Sequence, residues 1–183
     1  MLRRLFRPGK PRHWDIVEKE TMDEIIFRTT KVRNRLLLEF MARGGMRVGE
    51  VLKLAAKDVN DQKLTIQSPK SGKDAELVFI PRKVADRLRS YIERKPVAPG
   101  EKIFPITYST ARVIVKKAGR LVGVALRPHD LRRHAATYAS RSGIPIEIVS
   151  KVILRHSSLS TTQRYLGKIT DSEATRWIEK LYG

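Results

Sequence analysis

Hydrophobic positions along the chain follow two periods. From Thr21 they recur at helical spacing, and Thr21 with Glu24 has the spacing of a capping box at a helix start. A second helical run, Val32 to Arg43, carries Leu36, Leu37, Phe40 and Met41 and stops at Gly44-Gly45. A third begins near Val48, with Val51, Leu52 and Leu54 apolar. The period then changes. Lys63-Leu64-Thr65-Ile66-Gln67 alternates polar and apolar, as does Glu76-Leu77-Val78-Phe79-Ile80 in part. Between them Pro69-Lys70-Ser71-Gly72-Lys73-Asp74 has the composition of a turn, so this stretch predicts a β-hairpin.

Helical spacing returns after Pro81, with Val84, Leu88, Tyr91 and Ile92 in phase, and Pro96 and Pro99 mark a loop. Ser109 or Thr110 is placed to cap a helix through Arg112 to Leu121 whose polar side is basic. Pro128 stands at a first helical position, and that helix runs to Gly143 as its C′ glycine. Pro145 opens another short helix, and Thr161 to Leu166 reads as helix or turn. Ser172 to Tyr182 places Ala174, Trp177, Ile178, Leu181 and Tyr182 on one face. No internal repeat is visible. The pattern predicts an α+β fold, predominantly α-helical with a small antiparallel β-sheet or hairpin.

Composition narrows the function. At 183 residues the chain suits one domain, and with 41% apolar and 31% charged residues it is globular. No apolar run approaches the roughly 20 residues of a membrane helix, and no secretory h-region follows the basic start. With no cysteine, disulfides, thiolate catalysis and Cys-based zinc sites are excluded. Lys+Arg number 38 against 19 Asp+Glu, a net charge of +19. Such an excess calls for a polyanionic partner, nucleic acid first, with a membrane surface or an RNA-rich assembly also compatible. Residues 1–15 read as a basic arm or linker remnant, and over residues 1–14 Arg3, Arg4 and Arg7 are unopposed by any acid. They read either as DNA contacts or as a solvated terminus.

The candidate chemistry lies in four blocks. Arg47 and Glu50 are i,i+3 within GMRVGEVLKL. QSPKSGK surrounds Lys70, HDLRRHAAT places His129 and Arg132 i,i+3 on one helix face, and LRHSSLSTTQRY runs through His156 to Tyr165. With these blocks in this order, the chain resembles the catalytic domain of the tyrosine recombinases, the phage-integrase and Xer-type site-specific recombinases, over about residues 16–183.

The resemblance implies the roles. Arg47 and Arg132 would grip the scissile phosphate, Lys70 would protonate the leaving 5′-oxygen, and His129 would assist proton transfer. His156 would bond a non-bridging oxygen, Tyr165 would be the nucleophile, and Glu50 would support the basic groups. No cofactor and no metal are implied. The residue chemistry agrees. Two guanidiniums offer permanently charged forks for phosphate oxygens. Tyrosine, with an ordinary pKa near 10, needs a positive pocket to become phenolate. A basic leaving alkoxide makes a positioned acid worth roughly a hundredfold or more.

Plainer readings stand beside these. Arg47 with Glu50 is also a surface salt bridge by type, His129 a helix cap or core residue, and Tyr165 a packed aromatic. Zinc fits poorly, because His129 and His134 are five apart rather than four and have no acid partner. Ser157, Ser158 and Ser160 lack a glycine-flanked elbow. Lys73 shares the turn with Lys70 and is the alternative acid. Asp130 is assigned to packing or to hydrogen bonding at its helix terminus.

Two departures from the family pattern matter. Arg155 stands where glycine usually precedes the second histidine, altering the turn that presents His156 or adding a phosphate contact. The N-terminal core-binding domain is absent from the sequence, which reads as a fragment or a minimal recombinase.

The expected function is a site-specific recombinase or integrase of a mobile genetic element, acting through a 3′-phosphotyrosyl intermediate. Alternatives are a non-catalytic DNA-binding module of the same fold and a type IB topoisomerase-like activity. The expected partner is double-stranded DNA, contacted by Arg3, Arg4, Arg7, Lys73, Arg112, Lys116, Lys117, Arg133 and Arg155, in a cytoplasmic, nucleoid-associated setting. Self-association into a tetrameric synapse is expected, with the helix 172–182 docking on a neighbour or on its own core.

Overall fold

The computed structural model describes residues 16–67, 69, 74–95, 98–163, 166, 169 and 171–182. Its helices are α1 (Lys19–Arg28), α2 (Val32–Ala42), α3 (Val48–Val51), α4 (Arg82–Arg94), α5 (Tyr108–Arg120), α6 (Pro128–Arg141), α7 (Ile146–Ile148), α8 (Leu159–Gln163) and α9 (Asp171–Tyr182). Its strands are β1 (Val59–Asn60), β2 (Lys63–Gln67) and β3 (Ala75–Phe79). The expected mostly helical α+β fold with a small antiparallel sheet is what forms.

The centre of the molecule is α2. Leu36, Leu37, Leu38, Phe40, Met41 and Ala42 are all buried, so this helix is apolar nearly all round and is packed by α1, α3, α4, α5 and α6. Phe40 meets Phe104 edge to face at 5.7 Å, a geometry worth about 0.5–1.5 kcal/mol beyond its buried area. One charge interrupts the apolar surface. Glu39 is fully buried, and Arg87 donates to both its oxygens at 2.5 Å, with Arg43 at 3.4 Å and Arg35 at 3.7 Å. Three guanidiniums compensate one desolvated carboxylate, and so tie α2 to α4.

The sheet runs in the order β1-β2-β3, all antiparallel. Leu64 pairs with Val78 and Ile66 with Glu76, and these four side chains form its buried face. The hairpin is the one the alternation predicts. The strand β1 adds to it; two residues are too few to show a period. Glu76 is the anomaly, a carboxylate on the inward register of β3.

Two helix starts differ from expectation. Helix α1 begins at Lys19, because Met22 already donates to the Glu18 carbonyl at 2.9 Å, so Thr21 lies inside the helix instead of capping it. Helix α5 is capped by Thr107, whose Oγ1 accepts from the Thr110 amide at 3.1 Å; Ser109 and Thr110 occupy its first turn. Pro128 does open α6, and Gly143 follows its C-terminus with φ +88°. After Pro145, α7 passes into a π-helical turn over Val149–Ile153 that no periodicity announces.

Gly119 marks a close approach inside α5. A Cβ there would lie 2.4 Å from the Val124 carbonyl oxygen and 2.6 Å from the Leu126 Cβ, in the segment that leads to α6. Gly119→Ala is expected to destabilise the fold by about 1–3 kcal/mol in chemical denaturation. Gly49→Ala in α3, with nothing within 4 Å of the new methyl, should be neutral or stabilising by up to about 1 kcal/mol.

Candidate active site

The site forms where α3, α6 and the turn after Val149–Ile153 converge. Arg132 projects inward from α6 and is only 2% exposed. Its Nη1 donates to the Gly45 carbonyl and its Nη2 to the Leu154 carbonyl. Those acceptors lie two residues before Arg47 and two before His156, so one guanidinium fixes both approaches to the site. Gly45 adopts φ +60° with the Ile153 carbonyl oxygen 2.7 Å from where a Cβ would stand, so a side chain would push the two segments apart.

Arg47 is the N-cap of α3. Its amide donates to Glu50 Oε2 at 2.8 Å, and its Nη1 donates to Glu50 Oε1 at 2.6 Å. Arg47 remains 32% exposed while Glu50 is buried, so this is an anchored arginine with one side open to solvent, rather than the plain surface pair its type allows. Burial alone would raise the Glu50 carboxyl, but the neighbouring Arg155 charge and the Arg47 hydrogen bonds outweigh it and hold it below the usual range.

His156 is presented by two bonds. Its amide donates to the Ser150 carbonyl at 2.9 Å, and its Nδ1 shares a hydrogen bond of 2.9 Å with Thr162 Oγ1 on α8. Lys151 ties the same turn by donating to the Ser157 carbonyl at 2.9 Å. Burial, then the charges of Arg132, Arg47 and Arg155, push the His156 imidazole down to about 4. It is therefore neutral at neutral pH, able to donate one N–H and accept at its other nitrogen. His129 sits on the first turn of α6, one turn before Arg132, open to solvent on one side; partial desolvation from the other, then the Arg133 charge, lowers it as well. Asp130 does serve the helix terminus, accepting from the Arg127 amide at 2.9 Å. His134 belongs to the core side, with Nδ1 2.8 Å from the Val17 carbonyl oxygen and its ring stacked on Tyr138.

Arg47, Glu50, His129, Arg132 and His156 are thus brought together. Lys70, Lys73, Tyr165, Arg3, Arg4 and Arg7 lie outside the described residues. Among the expected duplex contacts, Arg112 and Lys116 line an open basic cavity of about 570 Å³ with Arg120 and Arg127, and Lys117 is exposed. Arg133 and Arg155 depart from the surface placement expected of them. Both are buried, and Arg155 commits its guanidinium to Glu50 at 2.7 Å and Glu76 at 3.3 Å. Glu76, Thr162, Ser150 and the carbonyls of Gly45 and Leu154 were missed by sequence reasoning. Only Glu76 left a signal, a carboxylate in phase with the apolar positions of its strand. Among the described residues, no three His, Asp or Glu side chains converge to hold a metal ion, and no helix is long and apolar enough to cross a membrane.

Residues 17–170 match the model of the phage integrase family. Tyrosine recombinase XerA of Pyrococcus furiosus is 34% identical over 163 residues, covering 82% of this chain and 55% of the relative. The fold superposes on a crystal structure of XerA recombinase with a TM-score of 0.81 at 23% identity, over 95% of this chain and 67% of that one. It also matches XerH site-specific recombinase bound to palindromic difH substrate, with a TM-score of 0.68 at 22% identity, over 91% of this chain and 52% of that one. The chain spans about half the length of the curated relatives it matches.

The histidines set a pH dependence of stability. His156, His129 and His134 all bind protons less readily in the fold than the ordinary value of 6.5 implies. Below that value the unfolded chain takes up protons that the folded chain refuses, so stability is full above about pH 6.5 and falls on acidification. For His156 the loss continues down to about pH 4. Calorimetric midpoints should decline from pH 7 to pH 5, and His156→Gln should make that decline shallower. An unchanged slope in His156→Gln would contradict the assignment.

Proposed function

Because the chain belongs to the phage integrase family, we propose that it carries the strand-transfer chemistry of a site-specific DNA recombinase. The observation that carries this reading is the convergence of two anchored arginines and a neutral histidine, drawn to one place by the bonds of Arg132 to Gly45 and Leu154. That arrangement suits a phosphodiester passing through a five-coordinate state. Arg47 and Arg132 stabilise charge on the non-bridging oxygens, and His156 donates a hydrogen bond to one of them. Tyr165 Oη gives its proton to His129 and attacks phosphorus in line, the P–O5′ bond breaks, and Lys70 gives a proton to the departing O5′, with Lys73 the alternative donor. The 3′-phosphotyrosyl ester keeps the bond energy, so a 5′-hydroxyl from another duplex completes strand exchange without ATP.

Duplex DNA is the partner in this reading. The basic cavity between α5 and the segment leading to α6 supports a backbone contact, with Arg112 and Lys116 supplied one turn apart on α5. Self-association on DNA is part of the same proposal. Helix α9 rests on its own chain, with Glu173 3 Å or less from Arg141 (2.7 Å) and Trp177 against Gly143. Its far end leaves Leu181 68% and Tyr182 84% exposed, an apolar tip suited to a neighbouring protomer.

The activity test uses a pool of nicked duplexes with randomised sequence, which trap a covalent adduct once the broken strand diffuses away. The wild-type chain should yield a denaturation-resistant protein–DNA adduct, and Tyr165→Phe should abolish it. Arg132→Ala should slow adduct formation by about a hundredfold or more. Adduct persisting in Tyr165→Phe would overturn the nucleophile. Capture regardless of sequence, with relaxation of supercoiled plasmid, would favour the topoisomerase reading instead. For self-association, size exclusion on a duplex that the chain captures should show smaller assemblies after deletion of residues 168–183. Unchanged association would remove the role of α9.

A further inference from the structure

The least expected residue near the site is Arg155. Its backbone adopts φ +52°, the left-handed region that a large side chain seldom occupies. Its side chain is 4% exposed, so an intrinsically mobile and strongly solvated group has been folded inward. Two hydrogen bonds and one ion-pair contact hold it there. Nη2 donates to Glu50 Oε2 at 2.7 Å, Nη1 donates to the Ile153 carbonyl at 2.9 Å, and Nε lies 3.3 Å from Glu76 Oε2. The acids come from different elements, α3 and β3, and both are buried.

The charges form a line, Glu76–Arg155–Glu50–Arg47, in which signs alternate and cancel. Only the last member reaches solvent. With Arg155 in place, the Glu50 charge is met from inside the protein, and the open side of Arg47 is left for a substrate anion. Without it, two buried carboxylates would face each other and the line would carry a net negative charge beside the position where a phosphate must sit. Arg155 is also the residue immediately before His156, so its side-chain bonds fix the direction in which the imidazole leaves the turn.

We propose that Arg155 is a positioning residue, which through Glu50 and Glu76 balances Arg47 and orients His156 for phosphodiester chemistry. This rests on the recombinase reading for its purpose, but the geometry it predicts is testable without DNA.

The experiment compares the full chain with Arg155→Gly, Arg155→Lys and the double variant Arg155→Gly/Glu76→Gln. Two readouts are used, the NMR titration of His156 and the single-turnover rate of adduct formation on a duplex captured by the wild type. The charges facing His156 include those of Arg132, Arg47, Arg155 and His129, so removing one cation and uncovering Glu76, while Arg47 still covers Glu50, should make it titrate higher. In Arg155→Gly the adduct rate should fall about tenfold to a hundredfold, while duplex affinity, set by many other phosphate contacts, stays within about twofold. Glu76→Gln, by removing the uncovered carboxylate, should bring both readouts back toward the wild type. Arg155→Lys keeps the charge but cannot span both acids, and should fall between; it replaces Arg155→Gly if that variant does not fold.

Wild-type rate and titration in Arg155→Gly, as would follow if glycine merely relieved the backbone, would overturn the proposal. A double variant no better than the single one would do the same. If the wild type captures no duplex at all, the recombinase reading fails, and the His156 titrations still decide whether Arg155 positions the imidazole.

Discussion

A guanidinium taken out of water must find acceptors, and that requirement at Arg132 organises the rest of the site. Its partners are backbone carbonyls 87 residues before it and 22 after it. Carbonyls cannot rotate away as side chains do, so the arginine draws whole segments of chain to α6. The segment at Gly45 leads directly into Arg47 and α3, and the segment at Leu154 leads into Arg155 and His156. Burial of one cation therefore sets the separation of the groups that would surround a phosphate. A lysine could not span the two carbonyls with a fixed fork.

Two other buried acids follow the same logic with different results. Glu39 is surrounded by Arg35, Arg43 and Arg87 on α2 and α4, away from the converging loops, and its compensation is structural. Glu50 is compensated by Arg155 from within and by Arg47 from the open side. The difference lies in what stands beside the cations. The arginines around Glu39 are about as exposed as Arg47; Arg47, by contrast, shares its surroundings with Arg132 and His156. Much of the +19 charge remains at the surface, including the α5 row lining the basic cavity, and only a small part is committed to these internal acids.

The helices and the hairpin were legible because burial is periodic. Alternation at Leu64, Ile66 and Val78 and the apolar run of α2 state their own geometry. Pro128 and Gly143 marked both ends of α6, since each has few other places to stand. The site residues Arg47, Glu50, His129, Arg132 and His156 were named from their blocks, and the structure gathers them. What failed was the assumption that arginine means surface. Arg133 and Arg155 look like duplex contacts in a basic sequence, and the burial of Arg155 depends on Glu76, 79 positions away from it in the chain. Cap assignments at Thr21 and at Ser109 or Thr110 failed for a nearer reason. At α5 the hydroxyls of Thr107, Ser109 and Thr110 stood within one turn of the start, and only the entering backbone decides which one lies outside; at α1 Thr21 was the one hydroxyl at hand, and the helix starts two residues before it with Glu18 as its N-cap.

The pair of Glu76 and Arg155 also links two distant positions of the sequence. Neither side chain is comfortable alone, one being a carboxylate on an apolar strand face and the other a bulky residue in a left-handed turn. Each offsets the charge of the other. Removing one member alone leaves a buried charge uncompensated, so a redesign of this turn has to treat positions 76 and 155 as one unit.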